Sequence, residues 1–167
     1  MLKKIFILFI ISVNFLFVNS CSTKTNESKS TNLVDEGLTN DALKMLGDSL
    51  YNKNDFESAL HYFYELIEDR SVSNGEIFYK IGYCNAQLLN FEESTKFYIM
   101  ATDLGYRTGD AFYNAGVNQT LDLDDSLAII YFKKAIQVNP EDTLAMYELE
   151  NAEKRLKAYK EVFENDN

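Results

Sequence analysis

The chain opens with an apolar run and settles, from about residue 40 onward, into a repeating pattern of apolar, small and polar positions. Ile5 to Val18 is almost continuously apolar, with Asn14 as an interruption. Ser22 to Thr39 is largely polar and shows no period. Beyond it, three segments align on Gly47, Gly82 and Gly116, spaced 35 and 34 residues apart. The first reads Leu43-x-x-Leu46-Gly47, then Phe56, Ala59 and Phe63. The second reads Phe78-x-x-Ile81-Gly82, then Phe91, Ser94, Tyr98 and Ala101. The third reads Phe112-x-x-Ala115-Gly116, then Ala128, Phe132, Ala135 and Pro140. Apolar residues three and four apart are the signature of helices with one face against a core. The polar breaks at Asn54-Asp55, Leu89-Asn90 and Asp122 to Asp125 predict a turn inside each segment. Asp125 stands where the other two segments have Phe56 and Phe91, which predicts weaker packing and a local irregularity in the third. From Glu141 to Phe163 one more helical stripe follows: Leu144, Ala145, Leu149, Ala152, Leu156, Tyr159 and Phe163. Lys154, Arg155, Lys157 and Lys160 supply its polar face.

Three matches in register resemble the tetratricopeptide repeat, a 34-residue helix-turn-helix with a large residue, Leu-Gly, Ala-x-x-x-Phe, Ala and Pro at fixed offsets. The resemblance covers about Asn40 to Asp142. It implies an all-α solenoid of helix-turn-helix units with three repeats, 40–73, 75–108 and 109–142, and a C-terminal capping helix over 143–163 that covers the last apolar surface. Gly82 and its counterparts are expected where helices A and B of one repeat cross closely, with Ala59, Ser94 and Ala128 as small partners. Phe63, Tyr98 and Phe132 are expected to fill the space between neighbouring repeats. Such arrays bind peptides or proteins along the face lined by helix A at repeat positions 2, 5, 9, 12 and 13. Carried over, that face comprises Asp41, Lys44, Asp48, Tyr51 and Asn52 from the first repeat. Glu76, Tyr79, Tyr83, Ala86 and Gln87 follow from the second, and Asp110, Tyr113, Val117, Thr120 and Leu121 from the third. Four tyrosines and four carboxylates stand there against one lysine, which suits a basic or apolar segment of a partner. Chaperone-binding relatives hold a C-terminal carboxylate with Lys and Asn on these helices. Asp48, Tyr83 and Asp110 at the corresponding sites speak against that activity here.

The first twenty residues have the three parts of an export signal: Lys3 and Lys4, the apolar core, and the small Ser20 at a cleavage point. The core is 14 residues long, short of the roughly 20 a spanning helix needs. Val18-Asn19-Ser20-Cys21 resembles the bacterial lipobox, which implies cleavage before Cys21, acylation of Cys21 and a new N-terminus there. Two or three acyl chains, at about 0.8 kcal/mol per buried CH₂, anchor stably where one does not. Residues 21–39 then read as lipidated Cys and flexible tether, reaching on the order of 20–25 Å as a random coil. Ser22, where many retained lipoproteins carry Asp, points to a bacterial outer membrane with the body facing the periplasm.

Charge narrows the partners. The chain carries 16 Lys+Arg against 26 Asp+Glu, a net of −10, and loss of residues 1–20 with their two lysines takes this to −12. So acidic a body offers no footprint for nucleic acid and no electrostatic pull toward anionic lipid. Candidate chemistry is sparse. His61 and Glu65 sit four apart on one helix, but two ligands do not make a metal site. Cys84 falls inside a helix where a small packing residue belongs. No phosphate loop, dinucleotide fingerprint or nucleophile elbow appears, and no cofactor is implied. The expectation is a non-enzymatic, membrane-anchored interaction module or assembly adaptor of the cell envelope. The rival is an accessory or immunity-type lipoprotein that masks one specific protein.

Overall fold

A computed structural model describes residues 38–69 and 71–163; the signal segment, Cys21 and the tether up to residue 37 lie outside them. Among the described residues the body is helical throughout. Three helix pairs run in chain order: α1 (Asn40–Asn52) with α2 (Phe56–Tyr64), α3 (Gly75–Gln87) with α4 (Phe91–Asp103), and α5 (Thr108–Leu121) with α6 (Asp125–Val138). A single longer helix, α7 (Thr143–Phe163), closes the series against α6. No helix among them is long and apolar enough to cross a membrane.

Local sequence fixes the helix starts. The Thr39 hydroxyl accepts from the Ala42 N–H at 3.2 Å, and the Asn74 carbonyl oxygen Oδ1 accepts from Glu76 and Ile77 at 2.9 and 3.2 Å. Asp124 caps α6 through Leu127 at 2.9 Å, and Asp142 caps α7 through Leu144 and Ala145 at 3.1 and 3.0 Å. Each bond satisfies an orphan donor of the first turn, a contribution of about 1 kcal/mol. After α2 the chain widens into a π-helical turn over Glu65–Asp69, whose Leu66 is buried.

Within each pair, an aromatic ring lies directly on the helix-A glycine. A Cβ built on Gly47 would meet the Phe63 ring at 2.6 Å, on Gly82 the Tyr98 ring at 3.0 Å, and on Gly116 the Phe132 ring at 2.6 Å. The three rings and the small partners Ala59, Ser94 and Ala128 are all fully buried. This adjusts the sequence expectation: Phe63, Tyr98 and Phe132 seal the crossing inside their own repeat, and only then touch the next. Tyr98 also meets Tyr79 of its own repeat, with ring centroids 5.2 Å apart.

The third turn is not irregular. Asn54, Leu89 and Leu123 occupy equivalent left-handed positions with φ of 60°, 63° and 65°. The next N–H in each case (Asp55, Asn90, Asp124) donates to Leu50, Asn85 and Gln119 at 3.0, 2.9 and 2.9 Å. Backbone bonds close all three turns alike, so the side chain that begins helix B does not decide their shape. Asp125, which replaces the aromatic, is held by Nε and Nη2 of Arg155 on α7 at 2.9 and 2.7 Å.

Between the second and third pairs runs a buried polar seam. The Ser94 hydroxyl donates to the Gly82 carbonyl at 2.7 Å, and Asn118 Nδ2 donates to Ser94 Oγ and Thr95 Oγ1 at 2.7 and 3.2 Å. Gln119 Nε2 also donates to Thr95 Oγ1 at 3.2 Å.

The glycine contacts give a paired prediction. Gly116→Ala adds helix propensity of up to about 1 kcal/mol but drives its Cβ into the Phe132 ring, an overpacking cost of about 1–3 kcal/mol. Gly109→Ala meets only Val138 at 3.5 Å, an ordinary contact. Urea unfolding should therefore show Gly116→Ala less stable than the parent and Gly109→Ala as stable or more so. Equal midpoints would remove the close crossing from the account.

Candidate functional site

The helix-A face divides into a closed part and an open part. In the first two repeats, α1 and α3 are joined by four side chains. Lys44 Nζ lies 2.8 Å from Asp48 Oδ2 and 3.2 Å from Glu76 Oε2, while Lys80 Nζ lies 2.8 Å from Asp48 Oδ1 and 2.5 Å from Glu76 Oε1. Two cations and two carboxylates thus close a neutral ring. Burial works against the charge on Lys44, yet its hydrogen bonds to Asp48 and Glu76 outweigh that and hold its pKa above the ordinary lysine value. Burial likewise opposes the charge on Asp48, and the bonds from Lys44 and Lys80 win, so its pKa lies below the usual carboxylate range. Glu76 is lowered chiefly by its bond to Lys80.

Beside this ring stands an aromatic trio. Tyr51, Phe56 and Tyr83 meet pairwise with centroids 6.3, 5.4 and 5.8 Å apart, and Lys80 Nζ lies 5.9 Å from the centre of the Tyr51 ring. Burial raises the Tyr51 phenol to about 12. Tyr79 is 7 % exposed. It lies between Tyr98 and Tyr106, its ring under the Arg107 guanidinium at 4.9 Å and its hydroxyl accepting from Asn114 Nδ2 at 2.9 Å. Tyr79 is therefore a packing residue of the junction between α3 and α5. Asp110 is exposed and paired with Arg107 Nε at 2.8 Å, and Asp41 is exposed at the start of α1.

Tyr113 is half-buried and leans on Phe132, with centroids 5.9 Å apart. Past it the face opens. One more 34-residue step from Asp110, Tyr113 and Gly116 lands on Leu144, Tyr147 and Glu150 in α7. Leu144 and Tyr147 are 63 % and 61 % exposed. Glu150 is exposed where the three repeats have a glycine under a ring. The expected α7 stripe is correspondingly narrower: Ala145 and Ala152 are buried, Leu149 and Leu156 half-buried, while Leu144 and Tyr159 face outward.

Sequence reading missed Lys80, Arg107, Leu144 and Tyr147. Lys80 was signalled by its spacing of four from Glu76, the same spacing as Lys44 and Asp48, which places ion partners on one helix face. Leu144 and Tyr147 follow from extending the repeat once more. With Lys80 and Arg107 included, the face is far less acidic than one lysine against four carboxylates suggested. Elsewhere, His61 is exposed beside Tyr62 and Cys84 is fully buried, its thiol pushed up by burial to about 12. Among the described residues no three His, Cys, Asp or Glu side chains converge as metal ligands.

The ion ring makes stability depend on pH at both ends. Asp48 and Glu76 are depressed in the folded state, so their contribution is complete above the unfolded carboxylate value of about 4 and is lost as pH falls through the lower folded values. Lys44 is raised, so its contribution is complete below the unfolded lysine value and is lost as pH rises through the folded one. Asp48→Asn should cost about 1 kcal/mol at pH 7 and flatten the acid limb of a melting-temperature profile below about pH 4. An unchanged acid limb would remove the ring as its source.

No family model matches the sequence and no curated protein does. Solved structures match the fold. The TPR domain of Arabidopsis OM64 is 16% identical, covering 69% of this chain and 94% of that one, at a TM-score of 0.61. The second TPR domain of human RPAP3, in complex with the HSP70 peptide SGPTIEEVD, is 17% identical over 69% of this chain and 98% of that one, with a TM-score of 0.60. A TPR repeats protein from Bacteroides fragilis is 14% identical at a TM-score of 0.63, covering 70% of this chain and 52% of that longer one. With glycine-sealed helix pairs recurring at this period and then a single closing helix, the body of the chain has the tetratricopeptide-repeat fold.

Proposed function

We propose that the chain is a lipid-anchored protein-interaction module of the bacterial cell envelope, tethered through Cys21 to the outer membrane and facing the periplasm, which binds a basic or apolar segment of a partner on its helix-A face. The observation that carries the binding half is the division of that face. Its first two repeats are satisfied internally by ion pairs and by edge-to-face and tilted rings, whereas Tyr113, Leu144 and Tyr147 present aromatic and apolar area at the C-terminal end. Aromatic residues with a polar tip give large contact area at low entropic cost. Burial, and after it the charges of Glu148 and Asp142, raise the Tyr113 phenol, so cationic groups on a partner would meet negative charge around the apolar patch. An acidic peptide such as that bound by the RPAP3 domain would meet Asp48, Tyr83 and Asp110 where Lys and Asn hold a carboxylate, and is disfavoured. The anchoring half is supported by Val18-Asn19-Ser20-Cys21 and by the polar stretch after it.

Both halves are open to test on the full chain expressed in a two-membrane bacterium. Mass spectrometry should find the mature N-terminus at Cys21 with added diacylglyceryl and acyl mass, in the outer-membrane fraction, and Cys21→Ser should abolish both. A mature protein starting elsewhere without lipid mass would sink the anchor. For binding, Tyr147→Ala leaves a residue that is already exposed, so the fold should persist by circular dichroism while in-cell crosslinking to envelope proteins falls several-fold. Undiminished crosslinking would move the partner off this face.

A further inference from the structure

The turns that join helices A and B carry a feature that neither folding nor the helix-A face uses. In all three turns one residue sits in the left-handed region, at Asn54, Leu89 and Leu123. Repeat 1 fills the position with Asn, a residue that adopts this conformation readily. Repeats 2 and 3 fill it with leucine, whose branched side chain is poorly suited to φ of 63° and 65°. Nor is the apolar side chain compensated by burial: Leu89 and Leu123 are 72 % and 80 % exposed. Two successive repeats thus break a local rule in the same way and project leucines from the same edge. A choice that costs folding twice and returns nothing to the core points to a role outside the core.

The surroundings say what such knobs would meet. A shallow hollow beside Leu89 is lined by Asn90, Phe91, Glu92, Glu93 and, from the next turn, Asp122, so the two turns share one surface. Glu92 and Asp122 stand exposed, and Asp124 caps α6 next to Leu123. Glu93 pairs with Lys96 at 2.9 Å, the one lysine in the group. Apolar knobs ringed by carboxylates complement an apolar recess ringed by Lys or Arg. A second copy of this chain fits poorly, because its net charge of −10 repels itself. Anionic lipid is repelled for the same reason.

We propose that the turn edge bearing Leu89 and Leu123 is a second docking surface, for a protein whose contact patch is apolar and rimmed by basic side chains. With the helix-A face, it gives the chain two separate surfaces, as an adaptor that holds two proteins together requires. The inference rests on the proposed function only in taking the ligand to be protein, and it can fail while that reading stands.

Two measurements decide it. First, Leu89→Asn/Leu123→Asn in the purified full chain should raise the melting temperature by roughly 4 °C or more, because both turns then carry the residue that repeat 1 already uses. A fall would show that the leucines serve folding and overturn the proposal. Second, a photoreactive benzoylphenylalanine placed at position 89 or 123 of the full chain in cells should crosslink the same protein. Its crosslinked peptide should carry Lys or Arg among apolar residues, and the yield should drop at least fivefold when Glu92→Lys/Asp122→Lys is introduced. The same probe at position 54 should give little of that product, and Tyr147→Ala should leave it unchanged. Crosslinks to lipid or to a second copy, equal yield from position 54, indifference to the charge reversal, or loss with Tyr147→Ala would each overturn the second surface.

Discussion

The whole body depends on one close contact made three times: an aromatic ring of helix B seated against the glycine of helix A. A Cβ at Gly47 or Gly116 would come within 2.6 Å of its ring, nearer than packed carbon atoms tolerate, so the two helices can stand this close only because nothing projects there. That closeness sets the geometry of each pair, and the pair sets which side chains are left for neighbours. Phe63, Tyr98 and Phe132 are fully buried; the first two lie in one core that runs from repeat 1 through repeat 2 to Ala111 and Ala115, and Phe132 packs with Ala128 and Ala152. A helix pair of this size cannot bury its outer faces alone, and stacking continues until a helix without a following partner ends it. In α7, Glu150 stands at the position that the three glycines hold in the repeats.

Neighbouring pairs are joined differently along the array. Repeats 1 and 2 meet through charge, with Lys44 and Lys80 bridging Asp48 and Glu76, and through the rings of Tyr51, Phe56 and Tyr83. Repeats 2 and 3 meet through neutral hydrogen bonds at Ser94, Thr95, Asn118 and Gln119, and through Asn114 on the Tyr79 hydroxyl. Apolar packing tolerates small slips between stacked pairs. A buried amide that must find a hydroxyl does not, because each unmade bond leaves a polar group desolvated at a cost of about 1–3 kcal/mol. The polar seam therefore fixes register, while the ring contacts supply most of the cohesion.

That division explains which parts of the molecule could be read from sequence. The glycine register, the small partners Ala59, Ser94 and Ala128, and the closing helix were all legible, because they are repeated and each repetition reinforces the others. Tyr79 was not placed correctly by its repeat position alone. The helix-A position 5 that leaves Tyr113 half-exposed buries Tyr79, because Tyr106 and Arg107 of the following linker fold over it. Lys80 lay one residue outside the expected binding positions, so the neutral ring it completes looked like an acidic patch. Both errors share a cause: side-chain partners contributed by the neighbouring repeat depend on how helices are offset, and a single-repeat template carries no offset. The third turn erred in the opposite direction. Asp125 looked like a break in the pattern, yet the turn is closed by backbone bonds that do not involve its side chain.

The same contrast between repeated and unrepeated features separates structure from function in this chain. Residues that recur because the fold needs them are buried and interchangeable within a class: Phe, Tyr and Phe over Gly, or Ala, Ser and Ala beneath. Leu89 and Leu123 recur too, but at a backbone position where repeat 1 shows that the fold needs no leucine, and both face water. Leu144 and Tyr147 occur once, at the end of the array, where a solvated cap would be better served by polar residues. Exposed apolar groups at such places make up the two proposed docking surfaces. The two patches sit on different parts of each unit, one on the face of helix A and one at its C-terminal turn. Between repeats 2 and 3 the polar seam fixes the register of the stack. The two surfaces proposed above would in that case lie at a separation that the stacking of the helix pairs sets.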